Sequence, residues 1–332
     1  MSIPTTEPHP DRTDPVDVGI IGLGRIGVHH AECFGRDQIV AGMDVGEPAR
    51  EQFTERFDVP TFHPATDRDA FYDAVDAVVV CTPNRFHEEY AVEALDRGVH
   101  VLLEKPLGHS LASAERVAAS ADRSDATCMV GFNNRFATPT RHTIEAIESG
   151  ELGRVTHVEA NYLRAGGAPD GWFTNPEISG GGALIDLGVH AIDLALHVLG
   201  HPHVVDATGV THSTCEAHRE RGIEDTAHTF IVTEDWRTIA INASWDAPVD
   251  NFSVVIHGTE DRRSFDMLTS DTNTYRAEHR AFERAIAAGD PGDAQNALNV
   301  QRAVARVYGE PATTTDTVSI DVETPTTAEV EK

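Results

Sequence analysis

The chain has 332 residues, 40% hydrophobic and 24% charged, a globular composition long enough for two cores. Its formal charge of −28 argues against nucleic acid and anionic membranes as partners, because both would repel it. No run of about 20 uncharged apolar residues is available to span a membrane, and residues 1–15 form a polar tail without the apolar stretch of a signal peptide.

Of 26 basic residues only Lys105 and Lys332 are lysine. This acid-rich, lysine-poor balance predicts a surface kept hydrated in very high salt, as in a halophile, where screening removes self-repulsion; base-composition bias is the bland alternative. Cys33, Cys81, Cys128 and Cys215 are widely spaced, with no CxxC pair. They read as reduced residues of a cytoplasmic protein.

From Val16 short apolar runs alternate with helical stretches. VDVGII predicts a strand, and Gly22-Leu23-Gly24-Arg25-Ile26-Gly27 follows it, opening a helix from about Ile26. A lone GxGxxG is a weak signal, since glycine clusters are usually plain turns. In strand–turn–helix context it becomes a dinucleotide site: tight turn, backbone approach to the pyrophosphate, close helix packing, phosphates on the helix N-terminus. The next strand, QIVAGMD, delivers Asp44 at about the 20-residue offset where an acid holds a ribose 2′-hydroxyl. That carboxylate repels a 2′-phosphate and favours NAD over NADP, although Arg25 and Arg50 stand close enough to compensate.

A helix through Phe57, the strand DAVVVCT, a helix over EEYAVEALDRG, the strand VHVLL, a helix over LASAERVAASA and the strand TCMVG complete the pattern. Strands alternating with helices imply a parallel sheet, and their near-continuous apolar character implies cover on both faces. Lys105 follows VHVLL, at the carboxyl end of a parallel strand where open α/β sheets bind ligands. In a chain that otherwise uses arginine, a lysine kept there suggests a site that needs an amine able to give up its proton. A surviving surface lysine is the bland alternative. Pro106 follows it; trans is the commoner state of an X–Pro bond, and a cis bond, which costs only about 0.5–1 kcal/mol, is the alternative that would fix the direction of the lysine.

Beyond about Ala137 the rhythm changes. A helix (TPTRHTIEAIESG) leads to a strand (RVTHVEANYLR), a glycine-rich loop and a very apolar helix. Strands at 203–212, 224–233, 237–246 and 252–258 follow, then helices at 275–287 and 293–308. Strands in series indicate a separate α+β domain with a mostly antiparallel sheet. The expected division is a dinucleotide-binding domain at 16–137, a second domain at 138–322 and a polar tail at 323–332, with the cleft between domains as the default site.

In the apolar helix GGGALIDLGVHAIDLALH, Asp186, His190, Asp193 and His197 fall on one stripe. Acid–base chemistry, a buried polar network and a metal site all fit such a stripe. Histidine is suited to moving a hydroxyl proton near neutral pH. There is no HExxH and no second carboxylate–histidine helix is apparent from the pattern, so no metal ligand is assigned.

With glycine loop, lysine and Asp/His helix in place, the chain resembles the glucose–fructose oxidoreductase/inositol dehydrogenase/MocA (Gfo/Idh/MocA) family. GIIGLGRIGVHHAECF, VDAVVVCTPNRFHEEYAVEALDRGVHVLLEKPLG, SGELGRV and GGGALIDLGVHAIDLALHVLG carry the resemblance. It implies an NAD(P)-binding Rossmann domain joined to an α+β domain whose open sheet packs in dimers or tetramers. The EKP motif places Glu104 and Lys105 at the cofactor. The DxxxH pair falls on Asp186 and His190, with His190 transferring the proton while Lys105 and Asp186 orient substrate hydroxyls. TPNxxH places Thr82, Pro83, Asn84 and His87 beside the nicotinamide ribose. Arg164, Asp170, Trp172, Asn175 and Asp193 are candidate substrate contacts. The implied activity is hydride transfer between a sugar, sugar derivative or inositol and NAD. The alternatives are an NAD-dependent glycoside hydrolase and a non-catalytic NAD-binding regulator. The stretch TEDRRSFDMLTS departs from the family, which has a further glycine and strand there, and the ending YGEPATTTDTV is also atypical.

Overall fold

The computed structural model describes residues 16–35, 37–269 and 273–309. The two expected tails and the chain after Gly309 lie outside them. Strands β1 (Val18–Ile21), β2 (Ile39–Met43), β3 (Thr61–Phe62), β4 (Ala77–Val80), β5 (His100–Leu103) and β6 (Cys128–Val130) form one sheet in the order β3-β2-β1-β4-β5-β6. Every pairing in it is parallel. Helices α1 (Arg25–Cys33), α2 (Glu47–Phe57), α3 (Arg68–Tyr72), α4 (His87–Asp96) and α5 (Leu111–Arg123) connect the strands. β3 and α3 were not legible in the sequence, because a two-residue strand and a five-residue helix carry no measurable period.

Burial explains the unbroken apolar strands. Ile20, Val79 and Leu102 pack with Phe53 on one face, whereas Ile21, Val78, Val80 and Leu103 pack with Tyr90 and Val117 on the other. Each such side chain removed from water contributes about 1.5–3 kcal/mol. Ser110 and Ser113 form a reciprocal capping box that starts α5.

After α6 (Thr138–Glu148) the chain builds a second sheet from β7 (Val155–Ala165), β8 (Val204–His212), β9 (Thr226–Thr233), β10 (Thr238–Ala247), β11 (Asn251–Gly258) and β12 (Arg262–Asp266). Their order is β12-β11-β7-β10-β9-β8. Only the β7–β10 pair is parallel, so the sheet is mixed and mostly antiparallel. Between β7 and β8 lie α7 (Pro176–Ser179), a π-helical turn (Leu184–Gly188) and α8 (Val189–Val198), and α9 (Glu216–Glu220) joins β8 to β9. The stretch 259–274 does hold a strand: β12 pairs with β11 from Ser253–Asp266 to His257–Arg262. Its polar sequence hid it, because an edge strand half open to water needs few apolar residues.

Pro176–Val198 is long and apolar enough to cross a membrane, but 83% of that window is buried within the protein. It is the core helix of the second layer. α10 (Thr274–Ala288) and α11 (Ala294–Tyr308) return to the first sheet. α10 packs on α1, with Phe282 in the core of the parallel sheet, and α11 packs on α5 and β8.

Candidate active site

The cleft lies at the carboxyl ends of the parallel strands, where β1 and β4 diverge in strand order, and β7, β10 and the π turn wall its other side. It encloses about 260 Å3. Arg25, Thr82, Asn84, Glu104 and Lys105 line the first side, and Tyr162, Arg164, Trp172, Asp186 and His190 the second.

The glycine loop has the geometry of a phosphate cradle. Gly22 sits at φ +90°, and a Cβ there would lie 2.7 Å from the Cys81 carbonyl oxygen. A Cβ on Gly27 would lie 2.0 Å from the Gly22 carbonyl oxygen. A Cβ on Gly24 would meet nothing within 4 Å, so the loop is open on the ligand side. No side chain caps α1 at Gly24, which leaves its first amides to an anion. Asp44 Oδ2 accepts from the Leu23 amide (2.8 Å) and Oδ1 from the Gly46 amide (2.7 Å), pinning the acid beside the loop. Thr82 Oγ1 is buried without a hydrogen-bond partner on the cleft wall. An open cradle, uncapped amides and an orphaned hydroxyl fit a dinucleotide.

His87 is buried, with Nδ1 2.7 Å from the Pro106 carbonyl oxygen and Nε2 2.9 Å from that of Thr82. It ties together the loops that follow β4 and β5. Asn84 Nδ2 donates to the Ser179 carbonyl (2.8 Å), joining those loops to α7. Pro83 precedes the short 3-10 turn Asn84–Phe86 and does not line the cleft.

Lys105 and Asp186 meet across the cleft although 81 residues separate them. Lys105 Nζ donates to Asp186 Oδ1 and to the Asp186 carbonyl, both at 3.0 Å. The Lys105–Pro106 bond is cis. Asp186 Oδ2 accepts from Trp245 Nε1 (3.0 Å) and lies 3.6 Å from Arg164 Nη1. Burial alone would push this carboxyl up, but the Lys105 and Arg164 cations hold it below its ordinary value. His190 packs between Phe132 and Tyr162, and its Nδ1 lies 3.3 Å from Asn134 Nδ2. Burial first, then the Lys105 charge, push its imidazole down to about 3, so it stands neutral near pH 7. Glu104 accepts from the Lys105 amide (3.1 Å), and its other oxygen lies 3.0 Å from His30 Nε2. Burial raises this carboxyl too, yet His30 brings it below its ordinary value.

Three expectations are corrected. Asp193 is not at the cleft: it is 1% exposed and paired with Arg135, Oδ2 lying 2.8 Å from the guanidinium Nε. The polar stripe is real, but with a rise of about 1.5 Å per residue Asp193 and His197 lie below the cleft floor. His197 is instead 3.0 Å from His201. Asp170 is exposed at the start of the turn Gly171–Thr174 and does not itself line the cleft, although Pro169 and Trp172 near it do. Asn175 is likewise exposed, its side chain capping α7 through the Glu177 amide (3.1 Å). Of the loop candidates Trp172 does face the cleft.

Sequence reasoning missed Trp245 and Asn134. Trp245 is a fully buried residue of β10 with no pattern to distinguish it from core. Asn134 carried a usable signal, since it follows β6 at the carboxyl edge of the parallel sheet.

Residues 16–132 match the oxidoreductase family with an NAD-binding Rossmann fold, and residues 140–262 match the GFO/IDH/MocA C-terminal domain. The chain belongs to the Gfo/Idh/MocA family. It is 34% identical, over 75% of each chain, to an Amycolatopsis mediterranei (strain S699) protein provisionally named an oxidoreductase subunit of UDP-kanosamine synthase. It is 36% identical to D-glucoside 3-dehydrogenase of Escherichia coli (strain K12), covering 58% of this chain and 56% of that protein. A D-xylose 1-dehydrogenase (NADP(+)) of Haloferax volcanii (strain DS2) is 27% identical over 91% of this chain and 99% of its own. Among solved structures, GenD2 from gentamicin A biosynthesis in complex with NAD superposes with a TM-score of 0.80 at 26% identity, covering 92% of this chain and 97% of that one.

Proposed function

We propose that this Gfo/Idh/MocA protein is an NAD-preferring dehydrogenase of a sugar, sugar derivative or inositol. The observation that carries the reading is the Lys105–Asp186 pair joined across the cleft with His190 one turn beyond Asp186. Bound NAD supplies the hydride acceptor. The protein's own groups orient the substrate and move the proton. Lys105 holds the substrate hydroxyl oxygen and offsets negative charge developing on it. Asp186, fixed by Trp245 and Lys105, orients that lysine. Neutral His190 accepts the hydroxyl proton. Asn134 Nδ2 lies 3.3 Å from its Nδ1 and fixes the ring's direction; for Nε2 to take the hydroxyl proton, Nδ1 must carry the ring proton and donate it to the Asn134 side-chain oxygen turned toward it. Arg164 and Trp172 on the second wall contact the remaining polyol.

Asp44 beside the glycine loop supports NAD over NADP. The outer face of the second sheet exposes Val210 and Phe230, whose registers place them on one side, and this supports a homodimer or homotetramer through that face. Four unpaired cysteines suit a reducing cytoplasm.

The test follows NADH absorbance with a panel of polyols and sugars in molar KCl. Loss of a positioned acid–base costs about 10²–10⁴-fold, so His190→Ala should lose that in kcat and retain its NAD affinity. Lys105→Arg should fail similarly, because the guanidinium keeps the charge without the geometry. A His190→Ala enzyme with near-normal turnover would refute the assignment.

A further inference from the structure

Behind the Glu104 wall of the cleft lies a second cluster of chemistry-bearing groups that the dehydrogenase reading does not use. His30 of α1 and Glu278 and His279 of α10 each present a ligand atom, and the three atoms lie within 4.8 Å of one another. All three residues are buried, with Glu278 at 0% exposure. Neither carboxylate oxygen of Glu278 has a hydrogen-bond partner. Two orphaned carboxylate oxygens in a buried pocket cost free energy that a packed interior rarely tolerates without a ligand.

We propose that His30, Glu278 and His279 bind a divalent transition-metal ion of the zinc class, which clamps helix α10 onto α1. Two imidazoles and one carboxylate are a donor set for such ions. The surroundings fit as well. Glu104 Oε1 lies 3.0 Å from His30 Nε2, so the proton on that nitrogen is held by a carboxylate and Nδ1 is left with its lone pair directed at the cluster. This carboxylate–histidine arrangement is the usual support behind a metal-bound histidine. His30 Nδ1 and His279 Nε2 stand 2.8 Å apart. Metal–nitrogen bonds of about 2.0–2.1 Å at a tetrahedral angle set two such nitrogens about 3.4 Å apart. A side-chain rotation of roughly half an ångström is therefore enough to admit the ion. Tyr275 stacks edge-on against His30 and lines the cleft, so the clamp sits directly behind the site without entering it.

The experiment uses the full-length protein, stripped by EDTA and dialysed, with Co2+ as spectroscopic probe and Zn2+ as competitor. The expected result is one Co2+ per chain with intense visible absorption bands, displaced by one Zn2+, and a melting temperature raised by several degrees. Glu278→Gln and His279→Phe should each weaken binding by about 100-fold or more, and Phe can retain the stack on Phe34 that His279 makes. If either variant fails to fold, the wild-type stoichiometry and the other variant decide. No stoichiometric binding by the wild type would overturn the proposal and leave a hydrogen-bonded or hydrated cluster. Unchanged binding in both variants would overturn it by placing the ion elsewhere.

Discussion

Replacing Trp245 with phenylalanine removes one hydrogen-bond donor from the Asp186 carboxylate and leaves an aromatic ring in the core. In the native protein Asp186 Oδ1 accepts from Lys105 Nζ at 3.0 Å and Oδ2 from Trp245 Nε1 at 3.0 Å, with Arg164 Nη1 farther off at 3.6 Å. Oδ2 of Trp245→Phe therefore keeps only the longer contact, and the carboxylate is free to turn about its Lys105 bond. A hydrogen bond to a charged group contributes about 1.5–3 kcal/mol. If that energy serves to hold Asp186 and, through it, Lys105 in the reactive orientation, kcat/KM falls by about 10–150-fold. Cofactor affinity should stay put, because the glycine loop and Asp44 are on the other wall. The assay is initial-rate NADH formation with the best substrate of the polyol panel, with calorimetric NAD titration and a melting curve on the same preparation. A variant with lowered melting temperature but kcat/KM within twofold of wild type would show that Trp245 only fills the core.

Asp44→Ser should narrow or reverse the preference for NAD over NADP in binding titrations, and equal affinities in the wild type would show that the ribose contact is misassigned. Arg135→Met leaves the buried Asp193 and the half-buried Asp293 without their shared cation. Such a loss costs about 3–5 kcal/mol, to be read from urea unfolding, while substrate KM in the folded fraction should not change if Asp193 is structural. Burial, foremost among the causes, lowers His190 and His197 to about 3 and His201 to about 4 from the ordinary 6.5. The unfolded chain therefore binds more protons than the native state below pH 6.5. Stability is fully present above that pH and falls toward pH 4, by about 1.4 kcal/mol per pH unit for each histidine. Chemical denaturation across pH 4–8 measures it, and a flat profile would contradict the buried neutral state.

Local patterning was enough to read much of this protein. The unbroken apolar strand Val78–Val80, buried on both faces, marked a covered parallel sheet, and Gly22, Gly24 and Gly27 after β1 marked the turn that forms a phosphate cradle. Lys105 stood out by composition, Asp186 and His190 by helical spacing. These signals are local because strand period, turn chemistry and helical phase repeat over a few residues. Long-range placement was not legible. Asp193 belongs to the same stripe as His190, but only the approach of Arg135 from the loop after β6 decides that it is a core ion pair. Trp245 became a partner of Asp186 through the parallel pairing of β7 with β10, which no segment's own pattern encodes. The polar β12 was recruited by the free edge of β11, and α10 brought Glu278 and His279 to His30 across 249 residues of sequence. Those contacts depend on how elements pack against one another, and packing is set by the shape of the assembled core rather than by any one stretch of chain.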